Sequence, residues 1–275
     1  MKVLYATDFK ESSKLAAKVL TQLHRAYTID LISVHIVTSF WQDWLNSGLY
    51  EKEALNRLQE KHADIIGKKE PDQVKILKGS AAFSILEAEE LYNPDLIVVG
   101  GGDPGAKREW ITGTTAEAIV RESQCSVMLI KKPDIKRLLV AIDFDEKCKV
   151  ALDGAAKLAR KTGAELIVLH AIPAPDVNPF GLPAERVEKD EEKFRLDQIA
   201  KVNDFLKDID LSGVKVTKEN LWGLPHQVVL DYATDHNIDM IVIGTSRKSK
   251  VRQVLLGSTS ARILKFAPAS LYVVR

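Results

Sequence analysis

Short apolar runs alternate along the chain with longer segments whose apolar residues recur at helical spacing. Val3 to Thr7, Ile29 to Val37, Val74 to Leu77, Leu96 to Val99 and Val127 to Ile130 read as strands, rich in β-branched residues and too short for buried helices. Between them Ser12 to Tyr27 places Leu15, Val19, Leu20 and Leu23 on one helical face, and Glu51 to Ile66 does the same with Ala54, Leu55, Leu58 and Ile65. Ala81 to Tyr92 and Thr114 to Arg121 complete the helices of this half, the last with a T-x-x-E capping box at Thr114 and Glu117. An aromatic-rich connection holds Trp41 and Trp44, read as packing under a loop.

After Lys131-Lys132-Pro133-Asp134, a charged, proline-marked linker expected to be exposed, the order restarts. Leu138 to Ile142, Leu166 to Ala171, Val214 to Thr217, Met240 to Ile243 and Leu271 to Val274 are the strands. Glu146 to Lys161, Ala184 to Ile209, His226 to His236 and Ser258 to Phe266 are the helices, with Asp145 placed to cap the first. The restart is a repeat in sequence. VLYATDF from Val3 aligns with LLVAIDF from Leu138 at an offset of 135, and His35 aligns with His170 at the same offset. PDLIVVG from Pro94 aligns with IDMIVIG from Ile238 at 144, as Gly79 does with Gly223. The second half therefore holds nine extra residues, placed in the proline-rich connection Pro173 to Pro183. Domains of residues 1–132 and 133–275 follow, each with alternating strands and helices, hence two parallel α/β sheets in tandem.

Composition narrows the classes. Hydrophobic residues at 45% and charged residues at 28% suit a globular protein, and a net charge of +1 offers no overall attraction to nucleic acid or membrane. No apolar run reaches the 18 or so residues of a membrane span. The amino terminus already reads as a strand, not a signal peptide, so the cytosol is the expected compartment. Cys125 and Cys148 form neither a disulfide framework nor a metal cluster. The histidines show no metal-ligand spacing, and His35 and His170, inside apolar strands, read as structural.

The chemistry suggested by the pattern is anion binding. Gly100 ends a strand and Gly113 opens a helix 13 residues later, followed by Thr114; Gly244 and Gly257 repeat that spacing, followed by Ser258 and Thr259. The first amides of a helix lack partners and carry the positive end of its dipole, so such a place favours anions. Asp8 and Asp143 also lie at strand carboxyl ends, where ligands of parallel sheets bind. The run Gly100 to Gly105 matches GxGxxG, but it follows a late strand and runs into Asp103-Pro104, so it does not indicate a dinucleotide site. Neither a GxxxxGK[ST] loop nor a GxSxG elbow is present, and no catalytic or metal-binding constellation is assigned.

These motifs resemble the universal stress protein family, and the resemblance covers essentially the whole chain as two tandem members. It rests on ATDF and AIDF, on SVHIV and VLHAI, on IVVG and IVIG, and on the openings GTT and GST before closing strands CSVMLI and ASLYVV. It implies a fold of two doubly wound, open, five-stranded parallel sheets, Rossmann-like with order 3-2-1-4-5. The closing strands would pair within the chain as an intramolecular pseudo-dimer; a homodimer of the chain is compatible with the same pattern. It also implies adenine nucleotide binding (ATP, ADP or AMP), with Mg2+ as an optional companion and little or no turnover. By the same carry-over Asp143 lies by adenine and ribose, and backbone at Ala141 and Ala171 touches the base. Gly244, Gly257, Ser258 and Thr259 belong to the phosphate motif, with Asp8, Gly100, Gly113 and Thr114 as weaker first-half equivalents. The sequence departs from the family's pattern at its middle glycine, which is Asp103 in one half and Arg247 in the other. The loop charges Arg247, Lys248, Lys250 and Arg252 sum to +4, whereas Asp103, Lys107, Arg108 and Glu109 sum to zero. Arginine forms paired, charge-assisted bonds to phosphate, so the second half is the expected site and the first is degenerate. The alternatives are an interaction scaffold without nucleotide, and a slow ATP hydrolase or nucleotidyl transferase.

Overall fold

The computed structural model describes residues 1–38, 47–102, 112–172, 184–245 and 257–275. The first half runs β1 (Lys2–Thr7), α1 (Glu11–Ala26), β2 (Asp30–Val37), α2 (Ser47–Ile66), β3 (Val74–Lys78), α3 (Ala81–Tyr92), β4 (Leu96–Gly100), α4 (Thr114–Glu122) and β5 (Ser126–Ile130). The second runs β6 (Arg137–Ile142), α5 (Glu146–Thr162), β7 (Glu165–Ile172), α6 (Ala184–Phe205), β8 (Lys215–Trp222), α7 (Pro225–Asp235), β9 (Met240–Gly244), α8 (Ser258–Phe266) and β10 (Ser270–Val274). Trp41, Trp44, the connection Pro173 to Pro183 and both basic or acidic loops, including Asp103 and Arg247, lie outside the described residues. No helix among the described residues is long and apolar enough to cross a membrane.

All ten strands form one sheet in the order β3-β2-β1-β4-β5-β10-β9-β6-β7-β8. Within each half every pair is parallel and the order is 3-2-1-4-5. The halves join where β5 and β10 pair antiparallel, Val127 opposite Val273 and Leu129 opposite Leu271. All four of these side chains are buried.

Strand alternation then sends side chains to two layers. Tyr5 joins α1's Ala16 and Leu20 on one face, together with Val140, Ala151 and Leu152 of the second half. Leu4 and Ala6 join α3's Ile85, α4's Ile119, α7's Val229 and α8's Ile263 on the other. Each layer thus runs across both halves. α1 and α5 meet over the seam, where Tyr27 Oη donates to the Lys157 carbonyl at 3.2 Å.

Pro133 of the linker is exposed as read, but its two lysines are partly buried and fastened, contrary to the reading of their charges. The amides of Lys131 and Lys132 both donate to Ser270 Oγ, at 3.1 and 3.0 Å. Their ammonium groups reach the carbonyls of Ala267 and Ile238, and burial pushes the Lys131 amine down to about 8. Long aliphatic stems explain how lysines can be half-buried with their heads on backbone acceptors. Two helices also depart from expectation. α2 begins four residues earlier, and Tyr50 in its first turn reaches His35 Nε2 at 3.4 Å. α6 stops at Phe205 and continues as one 3-10 turn, Leu206–Asp208.

Two histidines tie the first half together. His35 Nδ1 donates to the Thr7 carbonyl at 2.8 Å, and His62, fully buried, lies 2.9 Å from Ser33 Oγ. Burial lowers the pKa of both below the ordinary histidine value. The unfolded chain therefore binds protons before the folded one does, and stability present above about pH 6.5 is lost as pH falls. Thermal unfolding from pH 8 to 5 should show a plateau to about pH 6.5 and then a declining Tm. His62→Gln should flatten that decline whatever it does to the plateau; an unchanged slope would refute the assignment.

Candidate functional site

Each half builds the same turn at the end of its first strand. Asp8 follows β1, and its Oδ1 accepts the Lys10 amide at 3.0 Å, an Asx turn. Phe9 takes φ 62° and sets its ring 4.5 Å from His35. Asp143 follows β6, its Oδ1 faces the Asp145 amide at 3.3 Å, and Phe144 at φ 67° sets its ring 4.6 Å from His170. His170 Nδ1 donates to the Ile142 carbonyl at 3.0 Å, as His35 does to Thr7. A left-handed phenylalanine is uncommon and costs roughly 1 kcal/mol or more. Its occurrence twice, each time against the same histidine, shows that the aromatic contact holds the turn.

A residue not singled out by sequence pattern fixes each aspartate. Ser13 Oγ sits 3.0 Å from Asp8 Oδ1 and 2.8 Å from the Lys10 carbonyl. At the equivalent place, 135 residues on, Cys148 Sγ donates to Asp143 Oδ1 at 3.0 Å and accepts the Asp143 amide at 3.3 Å. Burial, then the Asp143 carboxylate, raises the Cys148 thiol well above its ordinary value, so it stays a protonated donor. The signal lay in the 135-residue alignment, which pairs Ser13 with Cys148 directly. Asp145 caps α5 as expected, accepting the Cys148 amide at 2.9 Å.

The ligating atoms of Asp143, Asp145 and Cys148 lie within 4.8 Å of one another, yet they do not suit magnesium. The thiol is soft and its proton is given to Asp143, while Asp145 Oδ1 already holds the helix amide.

The strand-end positions converge by topology. β6 pairs with β9, Val140 opposite Val242, so Asp143 and Gly244 leave the sheet side by side at the switch in strand order. Ala141 and Ala171 line the same edge, both partly buried, on the neighbouring strands β6 and β7. α8 must run back to feed the parallel strand β10, so Gly257, Ser258 and Thr259 open it at this edge. The first half arranges Asp8, Gly100, Gly113 and Thr114 in the same way.

The glycines separate into two kinds. A Cβ on Gly244 would lie 1.8 Å from the Lys147 carbonyl oxygen, and one on Gly100 would lie 2.5 Å from Ser12 Oγ. The first turns of α5 and α1 press on these strand ends, so the fold alone requires both glycines. Gly113 and Gly257 have ordinary negative φ, and a Cβ there would meet none of the described residues within 4 Å. They are the N-caps of α4 and α8, and no side chain caps either helix. The capping box expected at Thr114 and Glu117 does not form: Thr114 is the first helical residue, and Glu117 instead pairs with Arg121 at 2.8 Å. Glycine leads alanine at N-caps, and its bare backbone leaves the helix end open.

The two kinds differ in what alanine does. Gly244→Ala should cost about 3 kcal/mol or more through overpacking against α5. Gly257→Ala should cost less than about 1 kcal/mol. Urea titration of both variants checks this, and equal losses would overturn the distinction.

Comparison with known proteins agrees with this architecture. The family model described as "Universal stress protein family" matches residues 1–131 and again 134–275. A universal stress protein of Methanocaldococcus jannaschii is 29% identical over 148 residues, 51% of this chain and 82% of that protein. One of Mycolicibacterium smegmatis is 24% identical over 233 residues, 82% of this chain and 76% of that protein. The crystal structure of a universal stress protein from Archaeoglobus fulgidus, 21% identical, superposes with TM-score 0.68 over 100% of this chain and 98% of its own.

Proposed function

Because the chain belongs to the universal stress protein family, matched once in each half, we propose that it binds an adenine nucleotide, mainly in its second half. The supporting observation is the open entrance of α8 beside the fixed carboxylate of Asp143. Among the described residues nothing lies within 4 Å of where a Cβ on Gly257 would stand, and Ser258 beside it is exposed. In this reading the phosphates sit on the first amides of α8 and the hydroxyls of Ser258 and Thr259, where the dipole favours negative charge. Arg247 adds paired bonds to phosphate oxygen from the loop before α8. Asp143 accepts from the ribose hydroxyls, held at a fixed angle by the Asx turn and by Cys148. Backbone at Ala141 and Ala171 meets the base. Mg2+ arrives with a triphosphate rather than at a site of its own. The first half, with Asp103 in place of Arg247, is the weaker site.

A second reading keeps the fold and drops the ligand. It is favoured by Gly100 and Gly244, which are retained for packing whether or not nucleotide binds, and by the loss of the middle glycine in both halves. Calorimetric titration of nucleotide-free protein with ATP and Mg2+ separates the two. Binding of about one nucleotide per chain, abolished by Arg247→Asp and weakened about tenfold or more by Asp143→Ala, is the expected result. No heat at millimolar ATP would leave the scaffold reading standing.

A further inference from the structure

The duplication provides an internal control: among the described residues, a place filled in the second half is open in the first. A pocket of about 240 Å³ opens between α1 and α2, over the end of β1. Tyr5 and Thr7, both buried, form its floor, and the ring of Phe9 forms one wall. Lys14 of α1 and Arg57 and Lys61 of α2 stand on its lining, against the single carboxylate of Glu60.

In the second half the same place is occupied. The 135-residue offset sets Phe144 and Lys149 opposite Phe9 and Lys14. There the ring of Phe205, from α6, lies edge-on to Phe144 at 5.7 Å, and Lys149 Nζ stands 5.8 Å from its centroid. The helices themselves align at 144: buried Leu58 and His62 of α2 match buried Val202 of α6 and Leu206 of the 3-10 turn that continues it. That register puts Lys61 at the position of Phe205. The chain thus contains a stand-in for the pocket's occupant: one aromatic ring, edge-on to a phenylalanine and under an ammonium group.

We infer that the first-half pocket is a binding site for a small aromatic anion, a single ring carrying one carboxylate or comparable acidic group. The ring takes the place that Phe205 fills in the other half. A cavity of roughly 150 Å³ suffices for benzene, so this one holds a ring and a substituent. The acidic group meets Arg57, Lys61 and Lys14. These cations now pair with Glu53, Asp64 and Glu11 on exposed helix surfaces. Such pairs contribute under about 1 kcal/mol, so exchanging them for a partly buried ligand carboxylate costs little. On the lining itself three cationic side chains face one carboxylate, their acidic partners lying outside it, so an anion that displaces those exposed partners is favoured over a cation of the same shape, and the planar arginine fork suits a carboxylate. The site lies on the α1–α2 face of the first half, independent of whether nucleotide binds the second.

The test uses the full chain and benzoate as probe, followed by saturation-transfer NMR and titration. Benzoate should bind the wild type while benzylamine, the same ring with opposite charge, should not. Lys61→Phe supplies from the protein the ring the second half already has; it should keep or raise Tm and abolish benzoate binding. Arg57→Gln should weaken binding about tenfold. The inference is overturned if benzoate shows no transfer at millimolar concentration, if benzylamine binds equally, or if folded Lys61→Phe binds benzoate as the wild type does. Should Lys61→Phe fail to fold, Arg57→Gln and the benzylamine comparison decide alone: unchanged affinity in Arg57→Gln overturns the inference.

Discussion

The antiparallel pairing of β5 with β10 is the constraint on which the rest of this chain depends. A parallel five-stranded sheet has its fifth strand at an edge, with unpaired amides and carbonyls and apolar side chains on both faces. Here each half covers the other's edge, and Val127, Leu129, Leu271 and Val273 are buried as a result. Among the described residues β3 and β8 remain as the edges of the sheet. The seam also merges the cores, since the same face of both halves carries one continuous apolar layer. Even the linker is drawn in: its amides sit on Ser270, the first residue of β10. The Arg275 backbone amide reaches Ser126 Oγ from the other direction at 3.2 Å.

Within that frame, the fold repeatedly aims a carboxylate at the same place. A buried histidine holds the last carbonyl of the strand, a phenylalanine with left-handed backbone sets its ring at a tilt against the histidine, and the aspartate before it is presented outward. The helix that follows supplies a hydroxyl in one half and a thiol in the other. Hydrogen-bonded side chains surround the aspartates, while the glycine-opened helices across the edge have no side-chain cap.

Most of this architecture was legible because the hydrophobic period and the repeat agree. VLYATDF and LLVAIDF mark both first strands, and the near-continuous burial of β1, β4, β6 and β9 follows their unbroken apolar runs, as a parallel sheet covered on both faces requires. What escaped did so for physical reasons. β8 extends to Trp222, well beyond its apolar start, because as an edge strand bonded only to β7 it tolerates Lys218, Glu219 and Asn220. Gly113, not Thr114, became the cap of α4, since a motif of hydroxyl and carboxylate does not say which residue leaves the helix first. Gly244 carried a signal with two meanings. Sequence cannot tell a glycine kept for a ligand from one kept because a helix carbonyl would collide with any side chain. Cys148 was readable only through its partner, Ser13, and the pocket beside Phe9 only by asking what Phe205 replaces.

The seam has a geometric consequence for communication. Because β5 and β10 run in opposite directions, the carboxyl ends of the two sets of parallel strands emerge from opposite edges of the sheet. The duplicated turns of Asp8 and Asp143 therefore look away from each other. No short ligand can bridge them, and the gain that linked sites receive from effective concentration is absent. A partner docked over one edge meets one half alone. The chain is thus two-faced rather than clamp-like, and any coupling between its halves must pass through the shared layers of the sheet, not through a shared ligand.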